Sequence, residues 1–567
     1  MKEVSIVLCG EAGQGIATVE QLVTGMLKLS GYHVYSTSEF MSRIRGGTNS
    51  TLIRISDEKS KSAFIDRIDI LFPLSSKALK HLEHRISPET IIIGEEGNIA
   101  EEYCPNRANI IKVDFTKIAN EIGGKIYTNI VSVGIFLALF GVEENISKSY
   151  LTKRFSSKGD TILQNNIKAC QRGSEIGNQM LEDGKLKIDL QKDDSVKNYL
   201  TLNGSQAIAM GSIAAGLNFI SSYPMSPSTG VLVFLSQKAE DFGIIIDQAE
   251  DEIAAVNKGI GAWYAGARAM ITTSGGGFAL MTEGLSLSGI LETPMVFHIA
   301  QRPGPGTGLP TRTGQEDLQF VLNGGHGEFA RAIFAPGNAE EAFFLTQHAF
   351  NLADKYQVPV FILSDQFLVD SHYSLPDLDL TNIKNTKYIE KTDENYKRYL
   401  LTENGISPRG IPGYGSGLVN VDSDEHDEEG HITEDVHDLR PKMVDKRLYK
   451  KLKLLKEDFV KPELIGPTDY SILLIGWGST YSAVKEALEL STRKDVAFLH
   501  FKQVYPLSED TIDYLKKAKK VVVVENNATA QFGKVITLEY NIKPDQFLKY
   551  NGMPFSVEEV KEFIEKI

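Results

Sequence analysis

Short apolar runs alternate with amphipathic stretches along most of this chain, and the alternation is regular enough to predict its elements. Val4 to Cys9 is an apolar run, followed by a turn with Gly10, Gly13 and Gly15, an amphipathic stretch from Ile16 to Leu29 and a second run from His33 to Tyr35. That order predicts strand, glycine turn, helix and strand, the opening of a parallel α/β sheet. Runs at Ile70 to Phe72, Ile91 to Gly94 and Ile110 to Val113 predict further strands, and Tyr127 to Phe140 predicts a buried helix. Glu182 to Lys197 is polar and charge-rich, so a first domain is expected over 1–190.

A second block, 197–375, repeats the pattern. Ala269 to Thr272, Met295 to Ile299, Ala332 to Ala335 and Val358 to Leu363 predict strands, separated by helical patterns at Phe278 to Leu291 and Ala339 to Tyr356. Such repetition predicts a parallel sheet with helices on both faces. From 376 to 465 the rhythm gives way to Asp, Glu, Lys and His, the composition of a long excursion or linker rather than a core. It returns over 466–567, with strands expected at Ser471 to Ile475, Val496 to Phe501 and Val521 to Glu525 and helices at Thr480 to Leu490 and Glu509 to Lys517. The expected fold class is therefore α/β with three parallel-sheet domains.

Length and composition agree with this reading. At roughly 150 residues per domain, 567 residues accommodate about three or four units. With 42% hydrophobic and 24% charged residues the chain is able to bury ordinary cores. Sixty basic against seventy-four acidic residues give a formal charge of -14, which disfavours non-specific binding to nucleic acid or an anionic membrane and leaves proteins and small molecules as partners. Cys9, Cys104 and Cys170 are separated by 95 and 66 residues, so no CxxC pair is present to seed a zinc or iron–sulfur site, and a disulfide framework is not expected. The first apolar run is too short for a signal core or membrane span, which makes the expected location cytoplasmic.

Several segments carry chemistry. GEAGQG at 10–15 has the spacing GxxGxG rather than the GxGxxG of a dinucleotide site, and it reads equally as a tight strand-to-helix turn. Glu39, Ser42, Arg43 and Arg45 before Gly46 and Gly47 form a polar cluster where α/β sheets place ligands. In SSYPMSPST, two prolines stiffen the loop around Met225 and Ser226 and fix the direction of the Ser226 hydroxyl. Glu250, Asp251 and Glu252 stand at the start of a helix rich in small residues; they complement the helix dipole unless one of them is buried. Gly275, Gly276 and Gly277 allow a backbone to approach a flat ligand closely. The loop 301–318 contains Arg302 and Arg312, whose planar guanidinium forks suit the carboxylate of an organic acid. Finally, 422–438 brings His426, His431 and His437 among many carboxylates, but the spacing fits no zinc pattern and a solvated face explains it as well.

Taken in order, GEAGQG, EFMSRIRGG, YPMSP, EDEIAA, TSGGGF, GTGLPTR, SDEHDEEGHI, VVVVENNATAQFG and KYNGMPF resemble the α subunit of 2-oxoacid:ferredoxin oxidoreductases with a γ domain fused at its N-terminus. The resemblance covers nearly the whole chain. It implies a γ-like domain, a pyrimidine-type thiamine diphosphate domain and a transketolase-C-like domain. It further implies a separate β subunit that holds the diphosphate, Mg²⁺ and a [4Fe–4S] cluster, and this chain has neither a GDG…N diphosphate motif nor clustered cysteines. On the matching motifs Glu252 falls on the glutamate that bonds the cofactor's pyrimidine, with Glu250 as the alternative two residues earlier. Tyr223 and Ser226 fall in the loop that contacts the 2-oxoacid, where Met225 and Ser226 replace the usual Ile and Thr. Arg312 matches the arginine that pairs with the substrate carboxylate, ahead of Arg302, while Gly275 and Gly276 face the cofactor. The activity implied is CoA-dependent oxidative decarboxylation of a 2-oxoacid, 2-oxoglutarate foremost, with electrons passed to ferredoxin. Pyruvate or branched-chain acids on the same scaffold, a dinucleotide-binding reductase and a non-catalytic assembly subunit are the alternatives.

Overall fold

In the computed structural model, which describes residues 3–40, 47–58, 61–106 and 109–567, the first apolar run becomes β1 (Glu3–Glu11), the centre of an eight-stranded sheet. The chain leaves β1 through Gly13 and Gly15, both at positive φ (88° and 76°), and Gly15 caps the helix Ile16–Leu29 in the left-handed region that glycine enters without strain. β2 (His33–Glu39) and β3 (Thr48–Ser56) follow, then β4 (Ile70–Pro73), β5 (Ile91–Gly94) and β6 (Ile110–Lys112). The order is β6-β5-β4-β1-β3-β2. β1, β4, β5 and β6 are parallel as expected, whereas β3 runs antiparallel to both β1 and β2. Behind the sheet the helices Thr128–Leu139 and Asp160–Glu182 cross at glycines, with Gly134 against the carbonyl of Cys170 and Gly173 against that of Val131. β7 (Leu200–Asn203) is the outermost strand on the β2 side.

β8 (Phe219–Ser222), β9 (Ile245–Gln248), β10 (Ala269–Thr273), β11 (Met295–Gln301), β12 (Ala332–Phe334) and β13 (Pro359–Asp365) form the second sheet in the order β12-β13-β11-β10-β8-β9, every pair parallel. β10, β11 and β13 are buried along their whole length, as a sheet covered on both faces requires. The chain then returns to the first sheet as β14 (His372–Leu375), antiparallel to β2 and next to β7. Contacts accordingly group residues up to Leu202 with Ser371–Leu378 in one unit, and Asn203–Asp370 with Asp379–Ile567 in another.

Residues 379–438 contain neither helix nor strand, yet they are firmly attached. Arg398 donates to the carbonyls of Leu291 and Glu292, and Arg409 shares the buried Asp354 with Arg268. The third sheet comprises β15 (Glu463–Ile465), β16 (Ile472–Trp477), β17 (Val496–Phe501), β19 (Lys520–Glu525) and β20 (Asp545–Leu548), ordered β15-β17-β16-β19-β20; the intervening β18 (Gln503–Tyr505) instead pairs antiparallel with β12. Three sheets within an α/β fold are thus present, as the sequence pattern predicts, and most of their strand pairs taken together are parallel, the first sheet adding the antiparallel β3 and β14. No helix among the described residues is long and apolar enough to cross a membrane.

Candidate active site

The three carboxylates before the second unit's small-residue helix have separate fates. Asp251 is the N-cap of the helix Glu252–Tyr264, its carboxylate accepting from the Ala254 amide at 2.7 Å, the usual way to satisfy an orphan donor. Glu250 is exposed. Glu252 is 3% exposed, and among the described residues its Oε1 has no hydrogen-bond partner. A buried, unmatched carboxylate oxygen is costly, so this atom marks a position where a ligand donor fits.

Glu252 faces the glycine turn after β10. There Ser274 is the N-cap of the helix Gly275–Ile290 but forms no side-chain cap bond, and its buried Oγ also lacks a partner among the described residues. A Cβ added to Gly277 would lie 2.6 Å from Glu252 Oε1 and closer still to Thr273 Oγ1, so only glycine admits the carboxylate here. At Gly276 the nearest atom to such a Cβ is the Gly306 carbonyl oxygen at 3.8 Å, which leaves the first turn open on that side. At Gly275 the Cβ would meet the carboxyl of Asp317. Glu252, Ser274 and Asp317 therefore surround one helix start with unmatched polar atoms.

The loop after β8 stands beside β10, since Ser222 Oγ donates to the Thr272 carbonyl at 2.7 Å. The Met225 carbonyl accepts from both the amide and the hydroxyl of Ser228, a tight turn that holds Ser226 half-buried and Tyr223 exposed. Arg302, at the end of β11, donates from Nη1 to the Ser226 carbonyl at 2.6 Å. Arg312 is half-buried farther along the same loop, where its Nη1 lies 3.3 Å from Met553 Sδ. The following residues fasten this loop to the third sheet: Thr313 N donates to the Gly552 carbonyl, and Gln315 exchanges bonds with Asn526 and donates to the Trp477 carbonyl. The structure thus brings Arg302 to the Ser226 loop and Arg312 to the C-terminal segment.

Asp317 escaped sequence reasoning because an Asp ahead of a short helix, here Leu318–Asn323, reads as a cap. It caps nothing. Its side chain turns toward Gly275, Oδ2 has no partner among the described residues, and its carboxyl is pushed up to about 7 by burial and by neighbouring Glu316, against the opposing pull of Arg302. His298, one strand over, shows the contrasting case: both ring nitrogens are bonded, to Thr272 Oγ1 and Ser364 Oγ at 2.7 Å, and burial lowers it to about 3, so it is a neutral core residue.

The remaining candidate segments resolve as follows. In 422–438, Glu425 binds Arg447 and Arg440, His426 is buried against Tyr399 with ring centroids 3.8 Å apart, and His431 and His437 are exposed. Among the described residues no three His, Cys, Asp or Glu side chains gather as metal ligands. The GEAGQG turn opens on a cavity of about 820 Å³ whose lining includes Gln14, Ser75, Asn98, Lys125, Asn129 and Lys158. Glu39 and Gly47 flank a segment whose Ser42, Arg43, Arg45 and Gly46 lie outside the described residues.

Comparison with known proteins gives the family of the chain. Residues 210–446 match the family described as pyruvate flavodoxin/ferredoxin oxidoreductase, thiamine diP-bdg, and residues 5–176 match pyruvate ferredoxin/flavodoxin oxidoreductase. The α subunit of a 2-oxoacid:ferredoxin oxidoreductase from a Sulfolobus species is 31% identical over 99% of this chain and 96% of its own length. The 2-oxoglutarate oxidoreductase subunit KorA of Mycobacterium tuberculosis is 27% identical over 100% and 91%. The solved 2-oxoglutarate:ferredoxin oxidoreductase of Magnetococcus marinus, with 2-oxoglutarate, coenzyme A and succinyl-CoA bound, superposes with a TM-score of 0.93 at 29% identity, covering 100% of this chain and 99% of that one. A near-complete match in length and fold, at 31% identity to the Sulfolobus subunit, leads to one conclusion: the chain belongs to the α subunits of the 2-oxoacid:ferredoxin oxidoreductases.

Proposed function

We propose that this chain, joined to a β subunit, oxidatively decarboxylates 2-oxoglutarate in the cytoplasm: the 2-oxoacid and coenzyme A give an acyl-CoA, CO₂, a proton and two electrons, which pass to ferredoxin. The observation that carries the reading is the buried, unmatched Glu252 carboxylate facing a glycine-only helix start. These residues fit a flat aminopyrimidine: Glu252 Oε1 offers an acceptor for a ring donor, and Gly275 and Gly276 let the ring approach the backbone. When bound, thiamine diphosphate supplies a carbon nucleophile for the keto carbon and a sink for the electrons left by CO₂. Glu252 holds the proton exchanged at the pyrimidine, a task a carboxylate performs best when fixed and shielded from water. Arg312 binds the substrate carboxylate through its fork, with Arg302 as the alternative, and the Tyr223 to Ser226 loop reads the rest of the acid. The 29% identity over full length to an enzyme of known 2-oxoglutarate chemistry favours that acid over pyruvate or branched-chain acids.

The diphosphate, Mg²⁺ and a [4Fe–4S] cluster are assigned to the β subunit. Cys9 and Cys170 are buried, and burial pushes both thiols up to about 12, far from the thiolate a cluster needs. Co-purification with the untagged partner, followed by a panel of 2-oxoacids with a viologen dye, tests the proposal. Dye reduction that needs both CoA and a 2-oxoacid, fastest with 2-oxoglutarate, is expected. Absence of reduction with every acid overturns the reading, and NAD(P)H binding to the complex in its place favours a reductase.

A further inference from the structure

Asp317 is a half-buried acid with an enclosed Oδ2 that the reaction outlined above does not use, and it departs from the local rules in three ways. It occupies an N-cap position without capping, it presses against Gly275 where no other residue fits, and its Oδ2 is matched by nothing among the described residues. Charged groups stand close to it in the sequence and across the loop. Glu316 precedes it and accepts from the Gly304 amide, Arg302 at the end of β11 donates to the Ser226 carbonyl and lies close enough to lower the Asp317 carboxyl, and Glu252 packs against Gly277, two residues after Gly275. Its own amide donates to Gln301 Oε1 at 3.0 Å, which fixes the backbone from which the carboxyl projects toward Gly275.

We propose that Asp317 is a positioning residue whose charge controls how well the site accepts an anionic 2-oxoacid, acting through Arg302. With Asp317 neutral, the charge of Arg302, whose guanidinium is held at the Ser226 carbonyl, is not offset by an internal anion and adds to the attraction for the incoming acid. With Asp317 ionised, the guanidinium is drawn to an internal anion, and the incoming acid meets a negative charge in a poorly solvated pocket. The carboxyl changes state at about 7, because burial and Glu316 raise it further than Arg302 lowers it. The substrate is ionised throughout this range, so the pH dependence of binding belongs to the protein. No covalent step is involved.

The inference rests on the 2-oxoacid reading, and its test separates the two. In the assembled complex, KM for 2-oxoglutarate is measured from pH 6 to 8.5 for wild type, Asp317→Asn and the smaller Asp317→Ser. Wild-type KM is expected to be flat at low pH and to rise by up to about tenfold per pH unit above the transition, with kcat changing much less. Both variants, unable to ionise, are expected to keep a low, flat KM. Infrared difference spectra of the wild-type complex are expected to lose one protonated carboxyl band through the same pH range, and that loss is expected to vanish in Asp317→Asn. Wild-type turnover with KM profiles that coincide in all three proteins, or a carboxyl band unchanged in Asp317→Asn, overturns the role of Asp317 alone. No 2-oxoacid turnover in wild type overturns the functional reading, and this proposal with it.

Discussion

A single oxygen atom, Oε1 of Glu252, separates this site from an ordinary helix start. Asp251 already satisfies the helix, so Glu252 is free of capping duty and is kept buried against Gly277. Gly277→Ala places a methyl 2.6 Å from that oxygen, and the carboxylate must move. The expected result is a complex that still assembles, destabilised by about 1–3 kcal/mol as overpacked sites are, with kcat lowered more than KM is raised; thermal unfolding and steady-state kinetics check it. Arg312→Lys keeps the charge and loses the fork. If Arg312 binds the substrate carboxylate, a lost charge-assisted bond of about 1.5–3 kcal/mol lowers kcat/KM roughly ten- to more than a hundred-fold for every 2-oxoacid alike. Unchanged kcat/KM across the panel transfers the role to Arg302, which already touches the Ser226 loop.

Among the elements, those with an unbroken apolar rhythm are legible in the sequence. The helices Ile16–Leu29, Ala339–Tyr356 and Thr480–Leu490 lie where their periodicity predicts them, as do β5 and β17. β3 is hidden because Ser50, Thr51 and Arg54 interrupt its apolar pattern, although all three are buried beside β1. Arg54 survives there by pairing with Glu3 and donating to the Ala63 carbonyl, contacts that no local pattern announces. The acidic stretch misleads in the opposite direction: its carboxylates read as solvated, but Glu425 is held at about 2, since Arg447 and Arg440 outweigh the effect of burial. A carboxylate lowered on folding contributes stability above its unfolded value of about 4.5 that is lost as pH falls toward 2. Glu425→Gln is therefore expected to melt at a lower temperature than wild type at pH 7, with the gap narrowing as pH falls below about 4.5 toward 2, as read by circular dichroism. A gap of the same size at pH 7 and at pH 2 contradicts the ion-pair account.

For the whole molecule, the three sheets follow from hydrophobic alternation, while the site's inner arrangement does not. Motif order marked Glu252 and the glycine turn, because acids and glycines at helix starts are visible in one dimension. Which carboxylate is buried, which arginine reaches Ser226 and that Asp317 abandons its cap are outcomes of packing between β8, β10, β11 and the loop after it. The account also makes the chain half of an enzyme. Purified alone it is expected to carry no iron or sulfide and to reduce no dye with any 2-oxoacid, and a stoichiometric cluster on this polypeptide would contradict the assignment of that cluster to the partner. The most direct test is turnover of the co-purified complex carrying Glu252→Gln, with Glu250→Gln as control. The account predicts intact assembly with kcat lowered about 10²- to 10⁴-fold by Glu252→Gln and little change from Glu250→Gln; near-normal kcat in the assembled Glu252→Gln complex would contradict it.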